Sequence, residues 1–267
     1  MMQNITLGQY LPGDSALHRL DQRNKVLLTL AYIVGIFLVR GPFGYLLTAA
    51  LVLACARIAS IPLAYLLRGL KPLRVIILFT AVVNLFTGAG GDILFQLWFL
   101  RATWSGLENA VFFSLRLAFL VLGTSLLTLT TSPIALTDAI ERLLSPLRAV
   151  KFPAHELAMM MTIALRFIPT LLEETDKIMK AQSARGADFE SGNLLRRAKA
   201  MVPLLVPLFV SAFRRASDLA MAMEARCYHG GEGRTRMRVM RMERADWFAL
   251  LLMAAYIALV LAEGRLP

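Results

Sequence analysis

Between Val26 and Ala56 the chain is almost continuously apolar, broken once by Arg40-Gly41-Pro42. A bilayer is the natural place for such a stretch. Its 31 residues are too few for two full spans of about 20 residues each, and proline cannot continue a helical hydrogen-bond ladder. Two short helices turning at Gly41-Pro42 are therefore predicted, with a single long tilted helix as the alternative. Composition agrees: 57% of the residues are apolar and 18% charged, against roughly 45–50% and about 25% in soluble domains.

Other segments follow the same logic. Ser60-Ile61-Pro62 opens a short segment that ends in the basic stretch Arg68–Arg74. Val75–Thr87 is a third hydrophobic segment, closed by the glycine-rich turn Gly88-Ala89-Gly90-Gly91. Ile93–Trp104 is aromatic-rich and reads as a hairpin or interfacial loop, with Trp98 and Trp104 suited to the headgroup level. Ala110–Thr130 is the clearest span, interrupted by one charge, Arg116, which as a lone arginine either snorkels, pairs structurally or faces a partner subunit. Trp247–Ala262 is the last candidate.

The stretch Thr131–Arg244 differs from all of these. It carries 18 Lys+Arg and 12 Asp+Glu yet is rich in Leu and Met. Its longest apolar run, Met201–Phe213, is too short to span unaided, so a helix packed on other helices is favoured over a sixth span. Ser132-Pro133 is a helix start signal. After it, Leu136, Ile140, Leu143, Leu144 and Leu147 recur at helical spacing, while Asp138, Glu141 and Arg142 lie off that stripe. A second helix is predicted from about Pro153 to Arg185, apolar early and charged late, and a third from about Leu194 to Arg226. The expected fold is thus an all-α polytopic membrane protein with about five transmembrane helices and a cytoplasmic or interfacial module of about three amphipathic helices. Residues 1–130 form the first membrane region with about four spans, residues 131–244 the module and residues 245–267 the final span.

The net charge of +11 suits cytoplasmic loops held by the positive-inside rule, a docking surface for acidic partners, or both. Nucleic-acid binding is disfavoured, because it asks for a soluble basic face with interleaved aromatics. Arg57–Arg74 holds four basic residues and no acid, whereas Gly88–Asn109 has a net charge of −1. With the N-terminus inside, the basic loop and the module are inside too, and five spans leave the C-terminus outside. No signal peptide is visible at Met1–Thr6.

Catalytic patterns are missing. The sequence has no Gly-x-x-x-x-Gly-Lys-Ser/Thr phosphate loop, no Gly-x-Ser-x-Gly, no His-Glu-x-x-His and no paired-cysteine motif. Two cysteines, Cys55 and Cys227, exclude a disulfide framework, and His18, His155 and His229 show no metal-ligand spacing. The apolar spans hold no Asp or Glu, which weakens a proton-coupled carrier. Neither enzymatic activity nor a cofactor is expected.

One short motif occurs twice. Ala181-Gln182-Ser183-Ala184-Arg185-Gly186 closes the second module helix, and Ala222-Met223-Glu224-Ala225-Arg226-Cys227-Tyr228 closes the third. Alanine permits close approach, and arginine offers a planar fork that grips a carboxylate through two bonds. Glycine supplies the left-handed cap that stops a helix. Two such ends suit a partner with two equivalent grooves. The plain alternative is a pair of ordinary helix C-termini, each with a basic residue near the negative end of the dipole.

Together with Gly13–Lys25, Leu129-Thr130-Thr131-Ser132-Pro133 and Ala164-Leu165-Arg166-Phe167-Ile168-Pro169, these elements resemble the transmembrane T component of energy-coupling-factor transporters, the CbiQ/BioQ-like family. The opening Gly8–Ser15 resembles its shared version, which serves several substrate-binding S components. The resemblance implies a non-catalytic subunit of an ATP-driven importer of vitamins or transition-metal ions, in the bacterial cell membrane. Its implied partners are two cytoplasmic ATP-binding-cassette ATPases and a membrane S component, with no nucleic acid. It further implies that Ala184, Arg185, Gly186, Ala225, Arg226 and Cys227 meet the ATPases, the two arginines entering acidic grooves. Two departures stand out: Gln22 replaces a common proline, and Cys227 stands where Gly or Ser is usual, which leaves the third helix free to continue to Gly230-Gly231. A membrane scaffold without a coupling role is the rival reading.

Overall fold

A computed structural model describes residues 10–87, 93–97, 100–150, 152–187, 189, 193–231 and 240–264. The Gly88–Gly91 turn, Trp98, and Gly8 and Gln9 of the opening lie outside the described residues. Among the described residues the fold is all-α apart from one antiparallel hairpin. It divides into two compact units, one comprising Gly8–Ala139 and Val239–Pro267, the other built on Ile140–Arg238.

The first unit begins with α1 (Ala16–Arg19), capped by the Ser15 side chain, and α2 (Gln22–Leu38), capped by Asp21. Helix α3 (Pro42–Ile58) starts at the expected proline, with Gly41 as its N-cap. The Val26–Ala56 run is therefore two helices, not one. Next come α4 (Leu63–Leu70), a 3-10 turn and α5 (Arg74–Thr87). Strands β1 (Ile93–Leu97) and β2 (Leu100–Thr103) then pair antiparallel, with Ile93 opposite Thr103. Helix α6 (Trp104–Thr130) starts six residues earlier than its apolar run. The Thr103 hydroxyl accepts from the Gly106 amide, and the Trp104 indole N–H donates to Glu108 at 3.1 Å, so a polar first turn is stabilised before the apolar one. Helix α10 (Arg244–Glu263) closes the unit behind a capping box formed by Glu243 and Asp246.

The opening Asp21–Lys25 segment turns out to be a structural clasp. The buried Asp246 carboxylate accepts from the Asp21 amide at 2.9 Å and from Asn24 Nδ2 at 3.2 Å. Asn24 also donates to the Asp246 carbonyl, and Lys25 Nζ to the carbonyls of His18 and Thr130. These bonds tie α2 to α10 and to the end of α6, where buried polar groups demand partners. Deeper in the unit, Tyr32, Ile36, Val52, Ala56, Leu66, Leu126 and Leu129 form the core, and the Tyr32 hydroxyl donates to the Phe119 carbonyl. Gly123 lies under the Tyr32 ring, where any Cβ would overlap it. Arg116 is also structural: its guanidinium donates to the Val39 carbonyl at the end of α2 and lies over the Phe113 ring.

The outer faces of these helices are apolar. Val75, Leu78 and Phe79 on α5 are each about two-thirds exposed, as are Leu46 on α3 and Leu251 on α10. Hydrocarbon asks for no further covering of such faces, because helical backbone bonds are satisfied within the segment. Helix α6 and α10 are long and apolar enough to cross a membrane, and α3 is apolar but shorter. Helices α2 and α5, of 17 and 14 residues, reach only roughly 26 and 21 Å at 1.5 Å per residue.

The second unit holds the end of α7 (Pro133–Leu144), a 3-10 turn, α8 (Ala154–Ala184) and α9 (Leu194–Glu224). Helix α7 starts at the expected signal, with the Ser132 hydroxyl accepting from the Ala135 amide. Both long helices carry internal prolines, Pro169 in α8 and Pro203 and Pro207 in α9. The sequence patterning predicts α8 as an amphipathic module helix. By length and composition alone it also qualifies as a membrane span.

Candidate functional site

Helices α8 and α9 run antiparallel, as two contacts at different heights establish. Arg215 Nη2 meets Glu174 Oε2 at 2.6 Å, and thirteen residues further along the chain, just past the end of α9, the Tyr228 hydroxyl meets His155, near the start of α8. Glu174 and Arg215 are 41 residues apart, the same offset that separates Arg185 from Arg226. Each arginine thus lies eleven residues, about 17 Å of helix, beyond its helix's member of the ion pair. The two ends point to opposite sides of this contact.

Their backbones are the same motif. After Ala184, the Arg185 amide donates to the Gln182 carbonyl, the Gly186 amide to Ser183 and the Ala187 amide to Gln182, all at 3.0 Å. After Ala225, the Arg226 amide donates to Met223 at 3.1 Å, the Cys227 amide to Glu224 at 2.8 Å and the Tyr228 amide to Met223 at 3.0 Å. This is the Schellman closure, in which the six-to-one and five-to-two bonds satisfy otherwise orphan carbonyls. Arg occupies the equivalent last position in both. The next residue is left-handed in both, Gly186 at φ 90° and Cys227 at φ 55°.

The expected continuation of the third helix to Gly230-Gly231 is therefore wrong. Cys227 turns the chain where Gly186 does, although a side chain in this conformation costs roughly 1–2 kcal/mol. The closing hydrogen bonds hold it there. Gly230, at φ 97°, marks a later and separate turn.

Ala184, Arg185, Gly186, Ala225, Arg226 and Cys227 are all exposed. Neither guanidinium makes a hydrogen bond or ion pair with another described residue. Two cationic forks thus project from closed helix ends with their donors unspent, able to take a carboxylate in bidentate fashion.

Sequence reasoning missed a cluster beside the second end. His155 Nδ1 is 2.9 Å from Glu141 Oε1, and His155 Nε2 is 3.3 Å from the Tyr228 hydroxyl. Gly231 lies against the imidazole so closely that a Cβ would overlap it. In the sequence Glu141 is marked only by lying off the apolar stripe of α7, and no local spacing links it to Tyr228. Among the described residues no group of three or more His, Cys, Asp or Glu is placed to hold a metal ion. Cys55 and Cys227 are both free.

The fold is that of a helical membrane protein in which two helix ends close in the same way, each on an arginine. The sequence matches the family model for cobalt transport protein, CbiQ, over residues 13–237. It is 58% identical over 266 residues to the energy-coupling factor transporter transmembrane protein of Thermosediminibacter oceani, covering 99% of this chain and 98% of that one. The proteins of the same name from Clostridium kluyveri and Bacillus subtilis are 56% and 51% identical, over 94% and 89% of this chain and 93% and 90% of theirs. The chain belongs to this family, the transmembrane components of energy-coupling-factor transporters.

Proposed function

We propose that the chain couples ATP hydrolysis by two cytoplasmic ATP-binding-cassette subunits to the uptake of vitamins or transition-metal ions through a membrane S component. Arg185 and Arg226 are its docking ends, each gripping a carboxylate in a groove of one ATPase, with Ala184 and Ala225 permitting close approach and Gly186 and Cys227 turning the chain away. The chain itself neither binds nor hydrolyses ATP. Residues 131–244 and the N-terminus lie on the cytoplasmic side.

The observation that carries this reading is the shared Schellman geometry of the two ends at equal distance from Glu174–Arg215. Two equivalent tips suit a partner that presents the same groove twice, as a two-fold pair of subunits does. An ordinary helix end has no reason to repeat its arginine at the same step of the same closure.

Co-purification of the ATPases and substrate uptake, at matched expression, test the assignment. Removing one side of a partly desolvated charge pair typically costs about 2–5 kcal/mol. Arg185→Ala and Arg226→Ala should each weaken assembly strongly, and the double variant should be nearly inactive while still inserting in the membrane. Wild-type assembly and uptake in the double variant would reduce the chain to a membrane scaffold.

A further inference from the structure

The two ends share a backbone and differ in what holds them. Tyr228 stands two residues beyond Arg226, and its amide closes the second motif on Met223. Its hydroxyl then reaches His155 Nε2, 3.3 Å away near the first turn of α8. The tautomer that fits both contacts donates from Nδ1 to the Glu141 carboxylate at 2.9 Å and accepts at Nε2 from the Tyr228 hydroxyl. Gly231 backs the imidazole at a place where a Cβ would overlap the ring. The ring is thus fixed by a carboxylate, a hydroxyl and a backbone surface, and through Tyr228 it fixes the segment that carries Arg226.

Nothing comparable holds the first end among the described residues. Among them, no heavy atom beyond the adjoining chain lies within 4 Å of the place where a Gly186 Cβ would stand. The Arg185 end is closed by its own backbone bonds alone among the described residues. Ordering a mobile segment on binding opposes association, and a segment already ordered avoids that loss.

We infer that His155 and Tyr228 are positioning residues for Arg226, so that the second helix end is preorganised for its ATPase and the first is not. The inference rests on the docking role proposed for the two arginines. Glu141 serves it indirectly, by orienting the ring.

The test uses the full chain in lipid nanodiscs, titrated with the two ATPase subunits of its own transporter. Tyr228→Phe keeps the aromatic ring and removes only the hydroxyl. It should weaken ATPase binding by about threefold to tenfold, the effect of one lost hydrogen bond. Combined with Arg226→Ala it should add almost nothing, because no docking group remains to be positioned. Combined with Arg185→Ala it should exert its full effect. Such a difference in coupling is what a double-mutant cycle isolates. His155→Gln, which can still offer Tyr228 an acceptor, should bind better than His155→Ala. Wild-type affinity for Tyr228→Phe, or equal loss on both arginine backgrounds, would overturn the inference and leave the docking role intact. Wild-type affinity for both arginine single variants would remove the docking role, and the positioning role with it.

Discussion

The Arg185 and Arg226 ends are one solution carried out with different residues. The first stops its helix with Gly186, which adopts φ 90° freely, and stands clear of other described side chains. The second stops with Cys227 in a conformation that side chains disfavour, and is tied through Tyr228 to His155. One end thus relies on an intrinsically permissive residue, the other on surrounding contacts that over-determine its turn. Equivalent backbone geometry therefore does not imply equivalent stiffness.

The largest effect that can separate the two is loss of the arginines one at a time. If the second end is the preorganised one, Arg226→Ala should reduce ATPase affinity more than Arg185→Ala, within the range of about 2–5 kcal/mol for a broken charge pair. Lysine at either position should recover only part of the loss, because an ammonium keeps the charge without the planar fork. Equal losses measured by titration would erase the proposed difference between the ends, and full recovery by lysine would show that charge alone suffices.

An intermediate effect comes from exchanging the stop residues. Gly186→Ala places a Cβ where φ is 90°, at a cost of roughly 1–2 kcal/mol. Cys227→Gly removes such a penalty and should stabilise the end of α9 by about 1 kcal/mol. Amide hydrogen exchange at residues 186–187 and 227–228 reads both changes, which should have opposite sign. Faster exchange in Cys227→Gly would mean that the side chain helps to hold the turn.

The smallest effect lies at the contact from which both ends are equally distant. Glu174 and Arg215 are partly exposed, and exposed ion pairs contribute little to stability. Reversing one charge, as Glu174→Arg, should loosen the α8–α9 contact, and adding Arg215→Glu should restore it. A cysteine pair placed across the contact would report this by cross-linking yield. Unchanged yield in the single reversal would show that apolar packing alone sets the crossing.

Local pattern made much of this molecule readable. Proline at position 42 split the first apolar run, Ser132-Pro133 started α7, and the aromatic segment bounded by glycines became a hairpin. The limits of α8 and α9 matched their amphipathic stretches to within about two residues, the usual uncertainty of helix ends. All of these depend on residues a few positions apart, where propensity and capping act. Where the chemistry was marginal, reading failed: Cys227 lacks the glycine signal, so its turn was invisible, and the polar first turn of α6 was hidden because only the apolar part of the helix announced itself.

By itself the sequence determined the helices, most of their limits and the repeated Ala-Arg element, because each is set by short-range hydrogen bonding, side-chain volume and hydropathy. Only the tertiary structure decided that Glu174 meets Arg215, that His155 meets Tyr228, that Asn24 meets Asp246 and that Arg116 closes the end of α2. These partners stand 41, 73, 222 and 77 residues apart. No periodicity couples residues at such distances. They meet because packed helices bring polar groups distant in sequence together, and where such groups are buried, as Asn24 and Asp246 are, they are stable only with a partner.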